Sequence, residues 1–216
     1  MAAAAPIPAP APAADDEIVY ESMPCIRIYK NRVERYFGSE FVAASADADA
    51  ATGVASRDRV ISPEVSARLY LPRIDAAQAA AAGFEPWLAD HADFARLYLG
   101  GESAGANIAH HVAMRVGAEG LPHAAAIHGL LMIHPFVEGA PGLDALACGR
   151  VLVCIGEGDV LRDRGRAYYD RLRASGWPGE ADIWQAPGKG HTFHLLEPCC
   201  EEAVAQDKVI AEFLNH

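Results

Sequence analysis

Apolar and polar positions change period along this chain. Between residues 18 and 71 the apolar positions come in short runs with near-alternating character, at 18–29, 33–37, 60–62 and 65–71. That pattern predicts short β-strands of an antiparallel edge. The Ser62-Pro63 step punctuates the third run and Pro72 ends the fourth, because proline pushes the residue before it out of helical geometry. Residues 45–52, SADADAAT, read as a small-residue loop. An alanine-rich stretch at 74–83 favours helix by propensity until Gly83 and Pro86 interrupt it, and 87–91 reads as a short helical turn. Residues 94–99 form an apolar strand-like run closed by Gly100 and Gly101.

Helix and strand periods then alternate. Residues 103–116 have a helical pattern, with Ile108, Val112 and Val116 on one face and Ala106, Ala109 and Ala113 beside them. Apolar runs at 127–133 and 151–155 predict buried strands. Residues 164–174 predict an amphipathic helix with Tyr168 and Leu172 inward, and 181–184 a further strand. The last helix is expected over 201–214, with Ala205, Val209, Ile210 and Phe213 on its apolar stripe. Glu201 and Glu202 fall in its first turn, where the helix dipole favours them. Buried strands alternating with helices imply an α/β fold with a mostly parallel sheet.

Composition narrows this picture. The 216 residues are 51% hydrophobic and 22% charged, which fits one globular domain with a real core and excludes disorder throughout. Residues 1–14, MAAAAPIPAPAPAA, carry proline at every second position from Pro6 to Pro12. They predict an extended Ala/Pro tail rather than an ordinary secretory or transit signal. The expected organisation is a tail over 1–16 and one domain over 17–216. The net charge of −11 repels phosphate backbones and argues against a nucleic-acid partner. No apolar run is long enough to predict a membrane span. Five cysteines, Cys25, Cys148, Cys154, Cys199 and Cys200, include no C-x-x-C pair. They predict reduced thiols in the cytoplasm, with Cys154 buried.

Candidate chemistry centres on Gly101-Glu102-Ser103-Ala104-Gly105. This is G-x-S-x-G between a predicted strand and a predicted helix, the context in which a serine is exposed on a strained elbow. The flanking Gly101 and Gly105 are expected to let strand and helix backbones pass. The Ala104 N–H, at the helix start, is placed to meet a developing oxyanion.

A serine nucleophile needs a base, and the base an orienting acid. In this chain order the acid follows a strand end. Asp159, after the 151–155 run, is the choice, with Glu157 and Asp163 as rivals. The base follows the next strand, in the glycine-flanked loop that holds His191. His194 reads as a packed or solvated residue. The spacings, 56 residues from Ser103 to Asp159 and 32 from there to His191, leave room for a helix and a strand between acid and base. His110 and His111 are adjacent in a helix, so they cannot form a metal clamp on one face. The arginines at 162, 164, 166, 171 and 173, interleaved with Asp163 and Asp170, read as a solvated helix face.

Five stretches carry a family resemblance: IVYESMPCIRIYKNRVERYF, RLYLPR, HADFARLYLGGESAGANIAHHVAMR, GRVLVCIGEGDVLRDRGRAYYDRLRASGW and APGKGHTFHLLEP. Together the chain resembles plant carboxylesterases of the hormone-sensitive-lipase-like α/β-hydrolases, a group that includes tuliposide-converting enzymes, 2-hydroxyisoflavanone dehydratases and gibberellin receptors. The resemblance implies an α/β-hydrolase fold and a triad of Ser103, Asp159 and His191. It also implies hydrolysis of small-molecule carboxylic esters without metal or cofactor. The receptor branch lacks the histidine present here as His191, and dehydratases of the group commonly carry threonine where this chain has Ser103.

The chain also departs from the family. Members have an H-G-G-G-F/W segment after the third strand, followed by a helix and a fourth strand. No HGGG occurs here, and only 13 residues separate Arg73 from Trp87. At 133–139, IHPFVEG, one family strand runs directly toward the next without the usual cap helices. The resemblance therefore implies a shortened hydrolase, missing its third- and fourth-strand region and part of its cap. It also implies weakened oxyanion stabilisation and self-association through an exposed sheet edge.

Overall fold

The computed structural model describes residues 17–22, 26–31, 33–35, 43–45, 53–63, 65–72, 93, 96–120, 126–137 and 139–215. The expected tail, the alanine-rich helix at 74–83, the helical turn at 87–91, most of the 45–52 loop and Cys25 lie outside the described residues. The chain divides into two units, residues 1–73 and 74–216.

In the first unit, β1 (Ile18–Ser22), β2 (Ile26–Tyr29) and β3 (Val33–Arg35) form an antiparallel sheet in the order β1-β2-β3. β4 (Val54–Ser62) and β5 (Val65–Pro72) form a separate antiparallel hairpin. The antiparallel strands read from the sequence are thus present. They build two sheets of their own rather than a single edge, and β4 starts six residues before the predicted run. Its extra length is held by a cross-strand pair. Asp58 lies opposite Arg68 in the register, and the guanidinium grips the carboxylate from Nε at 2.6 Å and from its terminal nitrogen at 3.0 Å. Opposite charges facing across a ladder stabilise that register.

The second unit is built on a parallel sheet of four strands in sequential order: β6 (Leu97–Glu102), β7 (Ile127–Ile133), β8 (Arg150–Gly156) and β9 (Glu180–Ala186). Helix α1 (Ala104–Glu119) links β6 to β7, and α2 (Arg162–Ala174) links β8 to β9. A short α3 (Phe193–Leu196) and α4 (Glu201–Asn215) follow. Alternate residues of the central strands feed two cores. Leu130, Met132, Val151, Val153 and Ile155 pack with Ala106, Ala109 and Ala113 of α1 and with Tyr168 and Leu172 of α2. Leu131, Ile133, Leu152 and Cys154 pack with Val209, Ile210 and Phe213 of α4. Helices on both faces leave β8 buried from Val151 to Gly156, as its unbroken apolar run required.

One expectation about the β6–α1 unit needs correction. Gly100 and Gly101 do not end the strand; they lie inside it, paired with Leu131 and Met132 of β7, because a parallel ladder asks only for backbone groups. On α1 the small residues face the sheet, while Ile108 is 65% exposed and Val112 43% exposed. Alanines allow a closer approach to a glycine-bearing strand than isoleucine would, so the bulky face turns outward. Cys154 is fully buried, as expected, and burial pushes its thiol up to about 12. No helix among the described residues is long and apolar enough to cross a membrane.

Candidate active site

The carboxyl ends of all four parallel strands converge, and each supplies one polar side chain. Such an end is where open α/β sheets present their ligand sites. Ser103 follows β6, His134 follows β7, Asp159 lies in the loop after β8, and His191 in the loop after β9.

Ser103 has φ 54° and ψ −117°. A side-chain-bearing residue in that region is strained and persists only where surrounding bonds hold it. Those bonds come from the β7 terminus. The Ser103 N–H donates to the Ile133 carbonyl at 2.9 Å, and the Phe136 N–H donates to the Ser103 carbonyl at 3.1 Å. Gly101 is required, since a Cβ there would fall inside the Gly105 carbonyl. Gly105 is different: a Cβ at that position would meet nothing within 4 Å among the described residues. The expectation that both flanking glycines relieve a clash therefore holds for Gly101 alone. Ala104 is the first residue of α1, and the leading N–H groups of a helix have no partner within it.

Ser103 Oγ lies 3.0 Å from His191 Nε2. His191 Nδ1 lies 3.0 and 3.1 Å from the two oxygens of Asp159. With Nδ1 protonated toward the carboxylate, Nε2 is free to accept the serine O–H. Asp159 takes two further hydrogen bonds, from the Leu161 N–H at 2.7 Å and from His134 Nδ1 at 2.6 Å. Burial pushes the Asp159 carboxyl up. The hydrogen bonds from His191, Leu161 and His134 outweigh that push and hold it below its usual range.

The loops bearing Asp159 and His191 are bolted together. The Glu157 N–H donates to the Ala186 carbonyl, and the Gly158 N–H to the Lys189 carbonyl, both at 2.9 Å. A Cβ on Gly156 would overlap the Lys189 carbonyl oxygen, so the approach depends on glycine. Glu157, one rival for the acid, instead accepts the Gly188 N–H at 2.7 Å and braces the His191 loop. Asp163, the other rival, is exposed and paired with Arg162 at 2.8 Å. Lys189 points away to Glu197 at 2.8 Å and Glu202 at 3.4 Å. His194 packs flat on His134, with ring centroids 5.5 Å apart. His110 is buried against Tyr168 at 3.2 Å and lies in the helix layer, while His111 is exposed.

His134 is the residue that sequence reasoning missed. It is fully buried, at φ 46°, with its own N–H on the Cys154 carbonyl at 2.8 Å. The signal was a lone histidine followed by proline at the end of an apolar run, which names no partner until β7 is laid beside β8. Nitrogen and oxygen atoms of His134, Asp159 and His191 lie within 4.8 Å of one another. They are engaged in mutual hydrogen bonds, and a cation would have to break these to bind. We read them as an acid–base cluster rather than as a metal centre.

Residues 68–145 and 139–195 match the family described as alpha/beta hydrolase fold. The chain belongs to this α/β-hydrolase family. It is 34% identical over 173 residues to probable carboxylesterase 2 of Arabidopsis thaliana, a match covering 61% of this chain and 54% of that protein. It is 30% identical over 316 aligned positions to a 2-hydroxyisoflavanone dehydratase of Glycine max, covering 92% of this chain and 99% of the relative. Those 316 positions exceed the 216 residues of the chain by 100, so that alignment opens long gaps within this α/β-hydrolase. Among solved structures, one of two fungal esterases from Rhizomucor miehei superposes with a TM-score of 0.50 at 19% identity. The superposition covers 60% of this chain and 56% of that one; at that identity it speaks for the shared fold.

Proposed function

We propose that this α/β-hydrolase is a carboxylic ester hydrolase acting through Ser103, His191 and Asp159, with weakened catalysis. The contact that carries the reading is Ser103 Oγ on His191 Nε2 at 3.0 Å, with Nδ1 of the same ring on Asp159. In that arrangement Oγ attacks the ester carbonyl while Nε2 takes its proton. The imidazolium then returns the proton to the departing alcohol, leaving an acyl group on Ser103. Water, deprotonated by the same imidazole, attacks the acyl carbonyl and releases the acid. The name of the Arabidopsis thaliana relative supports an ester as substrate. A cytoplasmic setting, where thiols such as Cys154 stay reduced, completes the reading.

Weakening follows from the donors. The oxyanion that forms must be met by preorganised N–H groups. The Ala104 N–H supplies one. The glycine N–H groups of the HGGG segment that the family resemblance calls for have no counterpart in this sequence. A second reading, a hydrolase-like binding protein or shortened form with little turnover, is favoured by that same omission.

A fluorophosphonate probe tests the nucleophile, because it forms a Ser Oγ–phosphorus bond with loss of fluoride and needs the base. Peptide mapping should find the label on Ser103, and Asp159→Asn should slow labelling by orders of magnitude while Asp163→Asn changes it little. Labelling at another serine with Ser103 untouched rejects the assignment. Labelling of Ser103 without ester turnover selects the second reading.

A further inference from the structure

We propose that His134 is a positioning residue that pins Asp159 and, through it, orients His191. The proposal rests on the triad reading above. A carboxylate rotates broadly about its last bond, and a misoriented one leaves the base in the wrong tautomer. Here both oxygens are fixed from outside the triad. The Leu161 N–H holds Oδ1 at 2.7 Å, and His134 Nδ1 holds Oδ2 at 2.6 Å. His191 Nδ1 then meets the carboxylate evenly, at 3.1 and 3.0 Å. The His134 contact is the shortest of the set and is fully buried.

His134 is itself held rigidly. Its N–H is bonded to the Cys154 carbonyl on β8, and the next two residues lead to Phe136, whose N–H holds the Ser103 carbonyl. One four-residue segment, from Ile133 to Phe136, therefore fixes the backbone of the nucleophile and the side chain of the acid. Phe193 lies edge-on to the ring with centroids 5.6 Å apart, and His194 stacks on it.

The protonation state follows from the same packing. His134 Nε2 is buried and has no partner among the described residues. A proton there would be stranded, so the neutral ring carries its proton on Nδ1, toward Asp159. Burial lowers the His134 pKa, outweighing the raising effect of Asp159. The titratable and charged groups around it are Asp159, His191, His194 and, behind His194 at 3.8 Å, Glu102. A neutral donor suits the task. A lysine or arginine would neutralise the carboxylate and weaken its stabilisation of the His191 imidazolium, whereas an imidazole N–H orients it and leaves its charge in place.

The test is the pH dependence of Ser103 labelling by a fluorophosphonate in the full chain. His134→Leu should cut the labelling rate at pH 8 by about 10- to 100-fold, the loss of one hydrogen bond to a buried charge. It should also move the acidic midpoint upward, because a carboxylate freed of one donor pulls harder on the His191 proton. His134→Asn, whose amide N–H can reach the same oxygen, should restore much of the rate and bring the midpoint back. A slower rate with an unmoved midpoint, or no rescue by asparagine, assigns His134 to packing alone and overturns the proposal. A wild-type protein that leaves Ser103 unlabelled at every pH rejects the triad reading instead, and the proposal falls with it. If His134→Leu does not fold, imidazole NMR of the wild type decides: a neutral His134 with Nδ1 protonated from pH 5 to 8 is the supporting result, and an Nε2-protonated or charged ring overturns it.

Discussion

β8 and β6 belong to the same parallel sheet, yet they are finished differently. β8, RVLVCIG, is buried at every position from Val151 onward, with α1 and α2 packing on one face and α4 on the other. β6, LYLGGE, has no buried residue, and its ladder is filled on the β7 side only among the described residues. The helix that follows it turns Ile108 and Val112 to solvent. An apolar parallel strand is the composition of a sheet interior. β6 and α1 thus carry the sequence of covered elements without, among the described residues, the cover. Ser103 stands at the end of this strand, while Asp159 and His191 follow the covered strands β8 and β9. On the proposed reading this separates two tasks: proton handling, for which Ser103, His191 and Asp159 lie within hydrogen-bond distance, and charge stabilisation, for which the sequence has no HGGG segment.

The strongest test supplies a family-like cover. Inserting a family-like strand and an HGGG loop between Arg73 and Phe84 should raise kcat/KM on a short-chain nitrophenyl ester by at least 10²–10³-fold, since each oxyanion donor contributes about 3–4 kcal/mol. Equal rates for the original and the restored chain would show that β6 lacks nothing catalytic.

The second test compares the two faces of α1. His110, two residues after exposed Ile108, is 1% exposed and bonded to Tyr168. Burial, with a smaller contribution from His111, lowers its pKa from 6.5 to about 4. The unfolded chain therefore binds a proton between these values that the folded chain refuses. This contribution is complete above about pH 6.5 and is lost as the pH falls toward about 4, to a total of roughly 3 kcal/mol. Urea unfolding at pH 7 and pH 4.5 should show a larger acid loss in wild type than in His110→Gln. Equal losses would mean that the covered face of α1 is not dry.

What the sequence made legible follows the same division. β7, β8, β9, α2 and α4 were readable within a few residues because their apolar runs are fully used. Where cover is missing, pattern and packing part. Periodicity puts Ile108, Val112 and Val116 on one face of α1 without saying which face packs; Val116 and the neighbouring alanines meet the core, while Ile108 and Val112 do not. Gly105 reads as a clash-relieving glycine, yet among the described residues nothing lies within 4 Å of a Cβ placed there. Ser103, Asp159 and His191 could be chosen from chain order and strand ends. His134 could not, because its meaning lies in a third acceptor position on Asp159 that exists only when β7 and β8 are neighbours. Gln206, fully buried on the apolar side of α4, was likewise invisible to a stripe drawn from hydrophobic residues alone.

The smallest expected energy concerns the exposed stripe itself. Gly105, Ile108 and Val112 lie at i, i+3 and i+7, one line along α1. If this line and the β6 edge that is unpaired among the described residues seat a second copy of the chain, wild type should sediment as an oligomer whose size grows with concentration. The double variant Ile108→Ser, Val112→Ser should be monomeric. Its unfolding free energy, measured at a concentration where both proteins are monomeric, should change by no more than about 0.5 kcal/mol, as for surface positions. A larger loss would place both side chains in a core, and the apparent opening would then be covered within one chain. A monomeric wild type that melts cooperatively at high concentration would establish the same internal cover by a different route. Either result removes the contrast between β6 and β8 and leaves the supply of oxyanion donors to be tested by the insertion variant.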